Sequence, residues 1–587
     1  MVSDGNGTEA SDTIELLVRL ARDVSAATPA VAIEVYRRAS ELLAHDDPAR
    51  LEIDVACLEP LARAGSIGVA RERAEQLLAA HPDQEERRSI HAGLAKVLAT
   101  AGDLRSSMTH YEASSAVGGA SGGDASSRDS APDTSNERPM VDDLPSVRND
   151  EQVDRCLAAG QRVLLGDDPA VVSAELERLL AKSENRHVAC AAYQGLSLAA
   201  GAEARFEVAA RHALESTCRF DPRTMPRAGF LIPDIWVSSF DAFRDRFEEA
   251  SVLVERIGYD AERRGESATL VHTSTSLGLI SFFGGRWDEA VAAIELALSV
   301  ATETGSHAQL VAGHAVLAGV AFGRGQFDLA GVHLDEGSAA LERGMHLFGV
   351  DLLIWLRAQQ MEVGGDRETA LVLLWDLWEH TAHMRGLTHF RSIAPHLVAL
   401  AVAADQRDMA ATVAEETEEL ALRSAVASVA VSALRCRSLL VQNHDGLAQA
   451  VSMLARTPWR IDLARACEDA ASAFHFAGRP HDAGRFARQA MEIYGEMRAT
   501  WWADSVAKRF GVSGMVRNRS ESAWDLLTRR EREVVSLVRD GCTNGEIAER
   551  LFVSPRTVES HVANAIRKMG TGNRTRLAAL AASTREP

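Results

Sequence analysis

Apolar residues recur at helical spacing along most of this 587-residue chain, and short polar turns interrupt them at regular intervals. The clearest turns read GRWDEA at 285–290, GQFDLA at 325–330, GDRETA at 365–370 and DQRDMA at 405–410, each 40 residues after the last. DGLAQA at 445–450 continues the register more weakly, and GRPHDA at 478–483 follows after a shorter step of 33. Earlier echoes are GSIGVA at 65–70, GDLRSS at 102–107 and ARFEVA at 204–209. Between turns lie two helix-length segments with apolar positions on one face, such as Val291, Ile294, Leu296 and Leu298, or Leu352, Leu353 and Leu356. No run of alternating β-branched residues is long enough to build a sheet.

This pattern predicts an all-α chain made of helical hairpins. Glycine in the turns suits the positive φ at which helices commonly end. No single hairpin can bury its own apolar face, so neighbours must stack into a solenoid. The repeat is similar to tetratricopeptide-like repeats, though longer and less regular, and such solenoids present a concave surface to peptides, proteins or small ligands. The expected organisation is N-terminal helical repeats over 1–113, a flexible low-complexity linker over 114–150, a repeat array over 151–510, a short linker over 511–523 and a separate module over 524–587. The first linker is rich in Ser, Gly, Ala and Asp. A proline-rich stretch at 220–236 is expected to join two arcs of the array.

Composition narrows the class. The chain is 46% hydrophobic and 25% charged, as soluble globular proteins are. No apolar stretch reaches the roughly 18 residues that span a bilayer, and the polar N-terminus lacks the order of a secretory signal. A cytoplasmic protein without a membrane partner is expected. The seven cysteines are widely spaced and form no CxxC, which disfavours a disulfide framework or zinc site. The net charge of −20 would by itself argue against nucleic acid. Its distribution changes that reading: residues 524–587 carry 11 Lys/Arg against 8 Asp/Glu, which leaves −23 on the rest. A weakly basic module is attached to an acidic body, so any contact with DNA falls to the tail.

The tail has dense helix signals. Thr528–Glu531 and Thr543–Glu546 are capping boxes, and Gly541 ends the first helix. Ser554 is placed to cap a third helix, with Pro555 at its first position and Gly570 past its end. Asn573 can cap a fourth. Only Phe552, Val553 and Ser554 separate the second and third helices, the spacing of a helix-turn-helix. On the third helix Val558, Val562, Ile566 and Met569 share one side and should pack inward. Arg556, Ser560, Ala563, Asn564 and Arg567 share the other, which is polar, small and basic enough to enter a major groove.

The segment LTRREREVVSLVRDGCTNGEIAERLFVSPRTVESHVANAIRKMG, 527–570, closely resembles the LuxR/FixJ/NarL-type DNA-binding domain. The resemblance implies a four-helix domain, double-stranded DNA as partner, and a homodimer on DNA. It places Thr557, Glu559, Ser560, Ala563 and Asn564 at recognition positions and Arg556, His561 and Lys568 beside phosphates. Phosphate contacts from helix ends add Thr543, Asn544 and Ser554, and dimerisation through the fourth helix would use Leu577, Leu580 and Ala581. Two positions depart from the pattern: Gly545 and Glu559 stand where lysine is common. Both changes weaken electrostatic affinity.

The front of the chain lacks the other modules of that family. There is no receiver-like alternation of strands and helices, and no GxxxxGK[ST] to cradle a nucleotide. The chain therefore resembles the large ATP-binding LuxR regulators without their ATPase module. No cofactor is expected. Gly119–Gly123 fits G-x-S-x-G by spacing alone, without the strand and helix that a nucleophile elbow needs. His380, His383 and His389 supply no placed third ligand for a metal, and Trp355, Trp375 and Trp378 read as packing between repeats. The sequence thus points to a non-enzymatic, sequence-specific transcription regulator whose array receives a protein or small-molecule effector. The alternative is an interaction scaffold with a vestigial tail.

Overall fold

A computed structural model describes residues 5–25, 28–44, 47–118, 151–221, 232–304, 307–342, 348–512, 527–551, 553 and 555–583. Every regular element among them is a helix. Most of the expected linkers, 119–150 and 513–526, lies outside the described residues, as does 222–231 of the proline-rich stretch. The stretch expected as the first linker, 114–150, overlaps a helix at its start. The helix Leu104–Gly118 runs through its first residues, and Ser114 is buried.

The repeats owe their regularity to one turn. Gly285, Gly325, Gly365 and Asp405 all have positive φ, between 58° and 90°. The N–H of the following residue then reaches back to a carbonyl inside the preceding helix, as in Arg286 to Ser281 at 2.8 Å and Gln326 to Ala321 at 2.9 Å. This closure satisfies carbonyls that the helix end would otherwise orphan. Five residues on, Ala290, Ala330, Ala370 and Ala410 are at most 1% exposed, because each sits where the two helices of a hairpin meet. The pairs Ser267–Phe283 with Trp287–Thr304, and Leu310–Gly323 with Phe327–Glu342, are built this way.

The structure extends this register and corrects it. Asp245, 40 residues before Gly285, has φ 65° and opens DRFEEA, a turn of the same kind that glycine does not mark. Ala204 does the same for ARFEVA. Near 445 the register slips. The positive φ falls on Gln442, and Asn443 rather than Asp445 caps the next helix, accepting from Gly446 N at 3.1 Å.

The stack closes on itself. Asp245 accepts from Trp459 Nε1 at 2.7 Å and from Ser428 N at 3.0 Å. Arg391 donates to Phe243 O at 2.9 Å, and Arg498 pairs with Asp288 at 3.1 Å. The rings of Trp287 and Trp502 meet edge-on, 5.2 Å apart. Residues 243–325 thus face residues 391–502 across the interior, and one continuous apolar core runs between them. The inner side of residues 243–325, expected as part of an open concave surface, is filled by side chains of residues 391–502. Farther forward, Arg63 and Glu266 form a buried ion pair at 2.9 Å that ties the N-terminal repeats to the central ones.

The residues weighed as sites in the array have structural partners. Trp355 and Trp378 are buried and donate to His396 Nδ1 at 3.0 Å and Glu416 at 2.8 Å. His389 binds Asp351 at 2.8 Å. No helix of the described residues is long and apolar enough to cross a membrane.

Candidate nucleic-acid interface

Among its described residues the tail holds four helices, Arg529–Arg539, Asn544–Leu551, Pro555–Met569 and Arg574–Ser583. Their shared core contains Val534, Val535, Val538, Ile547, Ala548, Val558, Ala565 and Leu577, and none of it belongs to the core of the repeats. Each buried valine or leucine contributes about 1.5–3 kcal/mol, so the four helices are held together by a core of their own.

Local sequence sets the helix ends. Thr528 and Glu531 form a reciprocal capping box: Thr528 N donates to Glu531 at 2.8 Å, and Glu531 N donates to Thr528 Oγ1 at 3.1 Å. Thr543 and Glu546 repeat the arrangement at 2.7 and 3.3 Å. These bonds hold the Glu546 carboxyl below the usual range. Gly541 and Gly570 end their helices at positive φ, and Asn573 caps the fourth by accepting from Arg576 N at 2.9 Å. Ser554 and Phe552 lie outside the described residues. Between them Val553 is buried, and its N–H bonds Ala548 O at 3.0 Å, which draws the third helix against the second.

On the third helix Val558, Val562 and Met569 are buried, and Ile566 packs against the same core. Glu559, Ala563 and Arg567 are exposed and Asn564 is half-buried, so a continuous outward face remains. Arg567 Nη2 donates to Asn564 Oδ1 at 2.9 Å and holds that amide in one orientation. The side chains of Arg556 and Ser560 are outside the described set. Thr557 Oγ1 donates to Glu262 of the repeats at 3.2 Å.

Several expected contacts sit in structural roles. Lys568 pairs with Glu531 at 2.9 Å. His561 is largely buried, and its pKa is pushed down to about 4 by burial, with repulsion from Arg530 and Lys568 adding to it. It is therefore neutral at pH 7. Asn544 Oδ1 accepts from Arg574 Nη1 at 2.6 Å, while Thr543 stays exposed at the helix start. Leu577 and Ala581, expected at a dimer face, are 0% and 1% exposed and face the domain's own core. Leu580 is partly buried against the same core. The outward side of this helix carries Thr575, Arg576, Ala579 and Ala582.

Two arginines escaped the sequence reading. Arg574 also donates to Cys542 O, locking the fourth helix to the start of the second. Arg530 bonds Glu533 at 2.7 Å and Leu551 O at 3.2 Å. Its signal was a cation in the first turn of a helix, where the helix dipole disfavours positive charge.

Comparison with known proteins isolates the same segment. Residues 525–581 match the profile of the family described as bacterial regulatory proteins, luxR family. The chain is 48% identical over 50 residues to the spore germination protein GerE of Bacillus subtilis, which covers 8% of this chain and 68% of that protein. It is 47% identical over 58 residues to the CsgBAC operon transcriptional regulatory protein of Escherichia coli, covering 10% and 26%. It is also 45% identical over 71 residues to the HTH-type transcriptional regulator Mb0914c of Mycobacterium bovis; that match covers 12% of this chain and only 8% of the relative's length. Among solved structures, the APC/C hetero-tetramer Cut9–Hcn1 aligns with 81% of this chain and 88% of its own, at 12% identity and a TM-score of 0.41.

Proposed function

The chain belongs, through its C-terminal domain, to the luxR family of bacterial regulatory proteins, and from that premise we propose that it is a sequence-specific transcription regulator with a signal-receiving helical body. The observation that carries the reading is the third helix of the tail. It is held by the domain core on one side and presents Glu559, Ala563, Asn564 and Arg567 on the other. Such a helix fits a major groove, where an asparagine can pair with adenine, an arginine with guanine and a small apolar side chain with a thymine methyl. Arg556, Ser560 and the helix-end residues Thr543, Asn544 and Ser554 complete the proposed footprint together with Thr557. His561 and Lys568 stand beside it.

The tail's charge of +3 is small for a DNA-binding module. Two copies on one operator would supply what one lacks. The fourth helix would then meet its partner through Thr575, Ala579 and Ala582. The repeat body would hold the effector site and govern access to the tail.

Selection of duplexes from a random pool by the full chain tests the reading. Enrichment of one motif, with two half-sites about one helical turn apart, is the expected result. A pool left unenriched at low salt would refute it.

A further inference from the structure

The helix Phe247–Arg264 belongs to the repeats, yet two of its carboxylates hold the tail. Glu255 Oε2 accepts from Arg530 Nη2 at 2.7 Å. Glu262 Oε2 accepts from Thr557 Oγ1 at 3.2 Å. The two acids are seven residues apart, which is two turns, about 10.5 Å along the axis and nearly the same direction around it. Glu248 lies another seven residues back on that face. Arg256 and Arg263 run one residue behind this stripe, about 100° round the helix, so the side turned to the tail is the acidic one.

The contacted residues are not arbitrary. Thr557 stands in the first turn of the third helix, the end that meets base edges when such a helix enters a groove. Arg530 bridges the start of the first helix and the end of the second, through Glu533 and Leu551 O. A helix about 10 Å wide laid at Thr557 fills space that a duplex would need. The guanidinium of Arg530 cannot serve Glu255 and a phosphate at once.

We infer that the acidic face of Phe247–Arg264 is a docking surface for this chain's own DNA-binding domain, and that docking and DNA binding exclude each other. The inference rests on the reading of the third helix as the DNA-reading element. The docked contact is polar and partly exposed: Arg530 and Glu255 keep 26% and 32% of their side chains accessible. Each bond is weak alone. Covalent attachment supplies an effective concentration of about millimolar, so weak bonds suffice to bias the tail. The −23 of the body adds a general repulsion of DNA in the docked state. Whatever shifts Phe247–Arg264 relative to its neighbours would release the tail, and the buried pair of Arg63 with Glu266, just past this helix, joins that region to the N-terminal repeats.

The test uses the full chain throughout. Glu255→Lys/Glu262→Lys reverses the stripe. Asp408→Lys/Glu415→Lys makes the same change in charge, also seven residues apart, on the exposed side of Arg407–Arg423. Affinities are measured for a duplex enriched from a random pool by the stripe variant. The stripe variant should bind 3–10-fold tighter than both the natural chain and the control, with the gap closing as salt rises. Equal affinities, or an equal gain in the control, would overturn the inference. Docking is read separately, with a short bis-maleimide on Glu262→Cys/Thr557→Cys against each single-cysteine variant. A cross-link that forms without DNA and is suppressed by DNA is expected, and its absence would overturn docking. A cross-link with no duplex enriched by any form would remove the DNA reading, and the competition with it, while leaving docking as packing alone.

Discussion

The ammonium of Lys568, near the end of the third helix of the tail, lies 2.9 Å from the carboxylate of Glu531, which is fully buried at the start of the first. Glu531 therefore does two things at once. It completes the capping box with Thr528 and neutralises a cation on the third helix. Glu531→Gln keeps the shape but removes the charge, and should destabilise the tail by about 2–4 kcal/mol through the poorer cap and the unpaired lysine. Thr528→Ala should cost about 1 kcal/mol. Denaturant unfolding followed by a probe in the tail checks both values and their order.

Asn564 and Arg556 should separate specificity from affinity. Asn564→Ala should cost about 1–3 kcal/mol on the selected site and relax the preference at one base position. Arg556→Ala should weaken all sequences alike and flatten the salt dependence by about one unit of slope. Binding to a panel of single-base variants at several salt concentrations distinguishes the two. A uniform loss in Asn564→Ala would contradict its role as a reader of bases.

Gly545 is exposed on the second helix, and a Cβ built there would meet only Thr543 Oγ1, at 4.0 Å. Lysine fits without displacing anything. Gly545→Lys should raise tail stability by up to about 1 kcal/mol through helix propensity. It should also steepen the salt dependence of DNA binding by about one unit, as a further phosphate is neutralised. Thermal unfolding and a salt titration read the two effects independently.

His561 titrates at about 4 in the folded chain, below the ordinary histidine value. The unfolded chain takes up the proton first. Stability is therefore fully present above about pH 6.5 and is lost as pH falls toward 4. The melting temperature of the tail should drop between pH 7 and pH 5, above most carboxylate titration. In His561→Gln that slope should largely vanish. Identical slopes in the two proteins would assign the loss elsewhere.

Arg63 and Glu266 are 3% and 2% exposed. Arg63→Leu leaves a carboxylate buried without its cation and should cost about 3–5 kcal/mol. Arg63→Leu/Glu266→Leu should recover most of that loss. A double-mutant cycle by chemical denaturation measures the coupling.

What the sequence showed depended on how local each cause was. The 40-residue turns were legible because glycine and the following acid-alanine pair repeat the chemistry of one helix end. Asp245, like Asp405, puts an aspartate at the positive φ; DQRDMA was legible because three glycine-marked turns precede it in register, whereas DRFEEA stands ahead of the first of them. The capping boxes were legible in full, since both partners lie within four residues. The inward side of Val558 and Val562 followed from periodicity. The direction of Leu577 and Ala581 did not, because the polar residues of Arg574–Ser583 are confined to its first turn and its last residue, and the apolar run Leu577–Ala582 between them goes right round the helix. Nothing local could reveal that Asp245 meets Trp459, or that Glu255 meets Arg530.

The meeting of Asp245 with Trp459 and Ser428 sets the body apart from an open stack. In an open array each unit touches only its neighbours, stability adds along the chain, and a unit can be lost or duplicated at the cost of one interface. Here residues some two hundred apart must arrive at the same place. Excision of the forty residues from Gly325 to Gly364 would carry Trp459 out of reach of Asp245 and leave the aromatic interior without its other half. The number of repeats is thus part of the fold, as the circumference is part of a wheel. The chain must also search for that closure while folding, so this part of the body should assemble slowly.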